Sequence, residues 1–546
     1  MTATPDTDVR IFRILVADEL ALEGLNFIRA QEDTELVSKP GLSEQQYAQI
    51  IGEHDALIVR SGVRVTAAML RNPGRLKIIA RAGVGVDNID VEAATQKGVL
   101  VVNTAEASTI TTAEHAFALI MAVLRNLGPA YRTMIAGGWD RRHFQGRQLS
   151  GNTLGIIGFG RIGQTVAKRA LAFNMNVLAF DPFINAETML EGRVKMFRDF
   201  MDLLPHADIL TFHVPLNDST RGMLNARTFE ICRDGVYVVN VARGGVVDEQ
   251  DLITALDSGR CSGAALDVFR EEPLAADHPL RSHPQVLVTP HLGASTHEAQ
   301  QAVSINAAEA CLSYLRSEGI QGAVNAGGLQ IDLSTMQRCY VDLGDRMARL
   351  ISPMVTDGFG KVTIMIAGEQ LAAGQGLIER TVLCGLLREH LSDPVNIINV
   401  NSVAESRSIQ VRTVLCEANS ADELVLEIEE PARAMGRTRR VVGRVYDDGK
   451  PRVVEINGYH LDMVPAGDML LIQNEDRPGM IGLVGTRIGA AGVNIADMSI
   501  SRRETPEGIT AMMVLRIDAP ILGAQLDDLK SQMGILKVAA LRLPPE

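Results

Sequence analysis

Thr153-Leu154-Gly155-Ile156-Ile157-Gly158-Phe159-Gly160-Arg161-Ile162-Gly163 is the stretch on which the reading of the fold turns. Its first five residues have the short aliphatic character of a buried parallel strand, and the residues from Arg161 onward read as a helix. Between them stands Gly-x-Gly-x-x-Gly, in the strand-to-helix setting that gives this motif its meaning. Gly158 permits the tight turn, Gly160 lets backbone approach a pyrophosphate, and Gly163 lets helix and strand pack closely. The helix N-terminus adds unpaired N–H donors for an anion. Asp181 closes the next strand about 20 residues on, where a carboxylate accepts ribose hydroxyls; the alternative, that Asp181-Pro182 merely starts a turn, is outweighed by the complete βαβ unit. A carboxylate there repels a 2′-phosphate, so NAD is expected over NADP.

Outward from this unit the alternation continues. Short apolar runs at 176–180, 209–213, 236–241, 263–266 and 286–288, with helical stretches between them, predict a doubly wound sheet. Upstream, the runs 14–17, 56–59, 76–80 and 99–102 predict a second βαβ-type domain. A long helix is predicted over 111–134, leading into the basic, aromatic patch Trp139-Asp140-Arg141-Arg142-His143-Phe144. Another is predicted over 295–315, followed by the Gly-rich linker 319–328. Residues 329–462 carry helical and strand patterns without a site-like constellation. After Pro465 the expected order is strand 469–473, helix 480–491, strands 493–502 and 510–517, a helix, and strand 535–543, a ferredoxin-like β-α-β-β-α-β.

A chain of 546 residues exceeds one hydrophobic core, so about three or four domains are expected. The formal charge of −13 argues against a general nucleic-acid surface, while leaving room for a few arginines to gather a small anion. Six scattered cysteines without CxxC or metal-type spacing read as reduced thiols, and no metal is expected. Residues 1–10 are polar and acidic, giving no secretory signal, and no apolar run is long enough to span a bilayer. A cytoplasmic protein with no membrane partner is the expectation.

Three side chains stand just past strands of the second block: Arg243 in Asn240-Val241-Ala242-Arg243-Gly244-Gly245, Glu272 in Asp267-Val268-Phe269-Arg270-Glu271-Glu272-Pro273, and His291 in Pro290-His291-Leu292-Gly293-Ala294. Ligands of open α/β sheets gather at the carboxyl ends of strands, so the three can converge. Oxidising a secondary alcohol needs a base near neutrality, which suits His. A carboxylate beside it orients the ring and stabilises the imidazolium. An arginine binds a carboxylate and polarises a developing carbonyl. Singly, His291 could cap a helix, Arg243 could be a surface charge and Glu272 could be solvated; together behind a nucleotide loop they read as hydride-transfer chemistry.

These blocks, with Arg81-Ala82-Gly83-Val84-Gly85-Val86-Asp87-Asn88, resemble the D-isomer-specific 2-hydroxyacid dehydrogenases over about residues 10–320. The resemblance implies Arg243, Glu272 and His291 as the catalytic trio. It implies cofactor contacts at Gly158, Gly160, Arg161, Ile162, Gly163, Asp181, Val241, Ala242, Asp267, Gly293 and Ala294. Arg60, Arg81, Gly83, Val84, Gly85 and Asn103 would line the substrate site, with loop amides offered to the carboxylate, and Arg141 would reach a neighbouring subunit's phosphate. Val84 and Val214 lack a hydroxyl that relatives carry there. Within the family the long, 3-phosphoglycerate-oxidising branch is the nearest in plan. It implies a Rossmann-like NAD domain (108–295) inserted in a flavodoxin-like substrate domain (8–107 and 296–322), then an α+β intervening domain (323–462) and a ferredoxin-like ACT domain (467–546). Asn474, Asp476 and Asn494 would then bind L-serine as effector, although Asp476 could simply shape its turn. A homo-oligomer, a tetramer, is expected. Other readings are a dehydrogenase of glycerate, glyoxylate or 2-hydroxyglutarate, an NAD(H)-sensing interaction module, and an amino-acid sensor acting through the tail.

Overall fold

The computed structural model describes residues 10–327, 329, 333–355, 358–388, 390–391, 394–417, 422–431, 437–505 and 508–545. The leader reading of residues 1–9 lies outside them.

The first sheet is all parallel, in the order β2-β1-β3-β4-β5. Its strands are β1 (Phe12–Val16), β2 (Thr34–Ser38), β3 (Ala56–Val59), β4 (Ile78–Arg81) and β5 (Leu100–Asn103). This is the flavodoxin order, with apolar clusters on both faces. The helix His297–Leu315 returns to it from far along the chain and packs on the helix Leu22–Arg29, where Ser304 Oγ accepts the Ala21 N–H at 3.2 Å.

The second sheet contains β6 (Thr153–Ile157), β7 (Asn176–Phe180), β8 (Thr188–Met189), β9 (Val194–Phe197), β10 (Ile209–Phe212), β11 (Val236–Asn240), β12 (Cys261–Leu266) and β13 (Val286–Val288). Their order is β13-β12-β11-β10-β6-β7-β9-β8, parallel except for the β8–β9 pair. Strand order reverses between β6 and β10, so a crevice opens beyond their carboxyl ends. Strands covered on both faces, such as β10, are buried at every residue.

Two expectations fail locally. The single helix over 111–134 is two helices, Thr109–Leu124 and Leu127–Ile135, because Asn126 between them adopts a left-handed φ of 51°. An Asn tolerates that conformation at little cost, and the helical hydrogen-bond ladder cannot continue through it. Strands β2, β8 and β9 were absent from the sequence reading.

The third sheet has the order β15-β14-β16-β17-β18-β19, with strands β14 (Lys361–Ala367), β15 (Gln410–Cys416), β16 (Glu423–Glu429), β17 (Thr438–Val445), β18 (Pro451–Ile456) and β19 (Tyr459–Met463). The fourth is antiparallel, in the order β21-β22-β20-β23: β20 (Asp468–Glu475), β21 (Ile495–Thr505), β22 (Gly508–Ile517) and β23 (Ile535–Arg542). With helices Met480–Ala490 and Ala524–Ser531 on one side, this is the ferredoxin-like arrangement. One face of the fourth sheet, through Met469, Leu471, Met512, Val514 and Leu543, enters the same apolar core as Leu343, Met347 and Ile364 of the third unit. Buried Arg346 fastens the two: its guanidinium donates to the carbonyls of Pro465 (2.8 Å), Pro544 (3.0 Å) and Pro545 (2.9 Å). Among the described residues, no helix is long and apolar enough to cross a membrane.

Candidate active site

Gly158, directly after β6, has φ 92° and donates its N–H to Phe180 O at 2.9 Å. A Cβ there would lie 2.5 Å from His213 O, and one on Gly163 would lie 2.2 Å from Gly158 O. Both positions are closed to side chains by backbone. Gly160 differs, since a Cβ on it would meet nothing within 4 Å. It opens the helix Arg161–Ala172 with no side-chain cap, so its glycine serves the space beyond the loop rather than packing within it. A free helix N-terminus facing open space suits a pyrophosphate. Arg161 pairs with Glu106 at 2.5 Å, and Ile162 packs against the core under the loop. Asp181 accepts the N–H groups of Phe159 (2.9 Å) and Phe183 (3.0 Å), which hold its carboxylate at the loop. The residues therefore fit a dinucleotide.

Arg243, Glu272 and His291 follow the adjacent strands β11, β12 and β13. His291 Nδ1 lies 2.7 Å from Glu272 Oε2, which leaves Nε2 without a partner among the described residues. Glu272 Oε1 accepts the Phe269 N–H at 2.9 Å. Burial works to raise the Glu272 carboxyl, but the hydrogen bonds from His291 and Phe269 outweigh it and hold it below the usual range. His291 itself sits at a left-handed φ of 56°, its N–H donated to Asp267 O at 2.9 Å.

Asp267 is fully buried and organises that loop. Its Oδ1 accepts from Thr289 Oγ1 (2.5 Å) and Leu292 N (2.7 Å) and lies 3.2 Å from His115 Nε2, while Oδ2 accepts from Gly293 N (2.8 Å). Burial opposes the charge, yet these bonds keep the carboxyl below its ordinary value. Ala294 O accepts the Gln300 amide at 2.8 Å. Asn240 fixes the turn after β11 by accepting Ala242 N–H (3.0 Å) and donating to Arg243 O (2.9 Å), while Val241 is buried below.

Arg243 reaches across to the first domain. Its Nε donates to Asp87 Oδ2 at 2.8 Å, and a Cβ on Gly85 would fall within 1.6 Å of its Nη2. Gly83 is covered in the same way by Arg81 Nη1, also at 1.6 Å from an added Cβ. Arg81 Nε is buried with no hydrogen-bond partner. Burial first, then the Arg243 cation, push the Arg81 guanidinium down to about 10. Two cations facing one glycine loop, one with an orphaned donor, have the chemistry to take an anion. On the far side, a Cβ on Gly244 would lie 1.8 Å from Phe269 O, so the Arg243 loop abuts the loop that carries Glu272.

Asn103 and Thr104 grip the glycine loop: Asn103 Nδ2 donates to Val84 O at 2.5 Å, and Thr104 Oγ1 accepts the Gly83 N–H at 2.8 Å. This corrects one expectation, because the Gly83 amide is taken by Thr104; the Val84 and Gly85 amides have no partner among the described residues. Arg60 lies at the rim, its Nη1 donating to Glu19 O at 3.1 Å. Arg141 is exposed, and among the described residues no hydrogen bond or ion pair joins it to the other candidates. In the tail, Asn474 is buried with Oδ1 unpartnered, Asp476 pairs with Arg502 at 3.2 Å, and Asn494 donates to Asp518 at 3.1 Å. Among the described residues no hydrogen bond or ion pair joins any two of these three.

Sequence reasoning missed Asp87, Thr104, His115, His213, Asn240 and Thr289. Asp87 stands inside the quoted glycine block, which was a usable signal. His213 directly follows β10 at the sheet's switch point, beside Gly158, partly buried and with its buried Nδ1 unpartnered.

Comparison with known proteins agrees with this architecture. The model of the D-isomer specific 2-hydroxyacid dehydrogenase NAD-binding domain matches residues 117–293. That of the D-3-phosphoglycerate dehydrogenase intervening domain matches 336–457, and that of the ACT domain matches 469–532. D-3-phosphoglycerate dehydrogenase of Archaeoglobus fulgidus is 36% identical over 97% of this chain and 100% of its own. The enzyme of the same name from Bacillus subtilis is 35% identical over 98% and 100%. Among solved structures, NAD-dependent formate dehydrogenase of Staphylococcus aureus in complex with NAD is 27% identical, with TM-score 0.52, over 57% of this chain and 98% of that one.

Proposed function

The chain belongs to the D-3-phosphoglycerate dehydrogenase family of NAD-dependent D-isomer-specific 2-hydroxyacid dehydrogenases, and from that premise we propose that it oxidises 3-phospho-D-glycerate to 3-phosphohydroxypyruvate, the entry to serine synthesis. The observation that carries the reading is the 2.7 Å Glu272–His291 pair, set one loop away from the Arg243–Arg81 receptor.

His291 donates Nδ1–H to Glu272, so Nε2 presents its lone pair and takes the proton of the substrate C2 hydroxyl. Glu272, ionised throughout the working range, stabilises the imidazolium so formed. Arg243 and Arg81 hold the carboxylate, with the Val84 and Gly85 amides, and Arg243 stabilises the nascent ketone oxygen. Gly158–Gly163 and Asp181 would hold NAD, which would supply the hydride acceptor. Arg60, and Arg141 from a neighbouring subunit, receive the phosphate.

Exposed Leu127, Tyr131, Met134, Ile135 and Trp139, on one continuous stretch, support self-association and the homotetramer we expect in the cytoplasm. L-serine at Asn474, Asp476 and Asn494 is the effector this reading assigns to the tail.

A steady-state assay across phosphorylated and unphosphorylated 2-hydroxy and 2-keto acids tests it. The phosphorylated pair should give the highest kcat/KM, NAD should be preferred to NADP, and His291→Asn should lower kcat by about 10²-fold or more with NADH binding intact. Equal kcat in His291→Asn, or preference for an unphosphorylated acid, would overturn it. Repeating the assay with L-serine, and sedimentation of the full chain, checks the effector and the tetramer; no change in rate or melting, or a monomer, rejects them.

A further inference from the structure

The segment after the helix His297–Leu315 does more than connect domains. Residues 322–325 lie antiparallel along β5. The Asn103 N–H donates to Gly322 O at 2.9 Å and the Val324 N–H to Val101 O at 2.8 Å, with a bridge between Val102 and Ala323. Asn325 completes this edge with its side chain. Its Oδ1 accepts the Val101 N–H at 2.8 Å, and Nδ2 donates to Val99 O and Thr95 Oγ1, both at 2.9 Å. Gly322, at φ 66°, stands so close that a Cβ would come within 2.0 Å of Asn103 O.

β5 is also the strand whose end holds the anion loop. Asn103 Nδ2 donates to Val84 O, and Thr104 exchanges two hydrogen bonds with Gly83, accepting its N–H at 2.8 Å and donating to its carbonyl at 2.9 Å. Just before β5, Gly98 O accepts the Asn396 side-chain amide from the third domain at 2.8 Å. Ile398, two residues on, is buried in the core of the first sheet. One short strand is therefore touched at its start by the third domain, along its edge by the connecting segment, and at its end by Gly83–Val84. A hydrogen-bonded strand moves as a unit, so displacement at one contact reaches the others.

We infer that Gly322 and Asn325 are positioning residues of the active site: through β5 the connecting segment, with the third domain behind it, sets the Gly83–Gly85 loop and hence the affinity for the anionic acid. This rests on the assignment of that loop with Arg81 and Arg243 as the acid-binding side. A methyl on Gly322 forces Asn103 back by about 1 Å, a displacement that costs up to about 10²-fold when it reaches reacting groups.

Gly322→Ala and Asn325→Ala in the full chain test this, with 3-phosphohydroxypyruvate and NADH as probes. The expected result is a KM for the keto acid raised about tenfold in Gly322→Ala and several-fold in Asn325→Ala, with kcat within about twofold and the NADH Kd unchanged. In a Thr104→Val background the Asn325→Ala effect should shrink, because the grip it acts through is already cut. Hydrogen exchange at Val84 and Gly85 gives a readout that needs no turnover, and it should quicken in Asn325→Ala. An unchanged KM and unchanged exchange in Asn325→Ala, or parallel losses in KM, kcat and NADH binding, would overturn the inference. A parent inert toward the acid whose Asn325→Ala form exchanges faster refutes the function and leaves the positioning role standing. If Gly322→Ala does not fold, Asn325→Ala decides alone.

Discussion

Asp267→Asn is the substitution whose outcome the structure specifies most fully. The carboxylate is completely buried, and donors converge on both oxygens: Thr289 and Leu292 on Oδ1, with His115 beside it, and Gly293 on Oδ2. Asparagine has one acceptor oxygen. If it keeps the Oδ1 position, its amide nitrogen faces the Gly293 N–H, donor against donor. A charge-assisted bond worth about 1.5–3 kcal/mol is lost, and a buried N–H is left unsatisfied at about 1–3 kcal/mol. The flipped orientation is worse, since Thr289 and Leu292 then lose their acceptor. A destabilisation of about 3–5 kcal/mol follows from the better orientation. The same bonds hold residues 289–293, which carry His291 at its left-handed φ, so kcat should fall by about 10²-fold as the imidazole drifts from its place. Denaturant unfolding and single-turnover rates on parent and variant provide the measurement. A variant within about 1 kcal/mol of the parent, keeping more than about half of its kcat, would refute the account of Asp267 as the organiser of the His291 loop.

The glycines of the nucleotide loop should separate by function. Gly160→Ala, into open space, should leave the melting temperature of the unliganded protein unchanged and weaken NADH binding, read by fluorescence titration. Gly163→Ala, forced against Gly158 O, should lower the melting temperature itself; equal behaviour of the two would contradict the division. Burial of its ring drives His213 down to about 4. A folded-state value below the unfolded one of about 6.5 stabilises above that pH, and the contribution is lost as pH falls from about 6.5 through 4, to about 3 kcal/mol in all. His213→Gln should flatten the stability profile in that window, and an unaltered pH slope would count against burial of a neutral imidazole. Carboxylates with depressed values, such as Asp267 and Glu272, act lower, their contributions fading as pH drops through and below the ordinary carboxylate range.

Where burial and periodicity coincide, the sequence was legible. β3, β6, β7 and β13 lie on the residues expected, because aliphatic runs bounded by glycine or polar residues have few other fates. β2 was not, since Thr-Glu-Leu-Val-Ser on a sheet edge is at best half-buried along its length and shows no apolar run. The break at Asn126 was hidden for another reason: apolar residues continue across it, and only the backbone angle records the interruption. Motif spacing located Arg243, Glu272 and His291, because strand ends advertise themselves. His115 and Thr104 did not, because each owes its role to a partner 21 or more residues away. No local pattern announces a threonine that happens to face Gly83.

The clasp at Arg346 bears on how such a chain could be taken apart. A cut near residue 465 would strip the tail from a core that is built jointly, baring Leu343, Met347 and Ile364 and leaving the Arg346 guanidinium with Asp342 but without its carbonyl acceptors in the tail. The last two sheets are thus one heritable cassette. Recombination, or an engineer grafting amino-acid control onto another dehydrogenase, would have to move them together, with the crossover upstream of the helix Thr335–Ile351. A signal arriving at the tail would pass to the third domain through rigid packing, with no loose tether in which to dissipate.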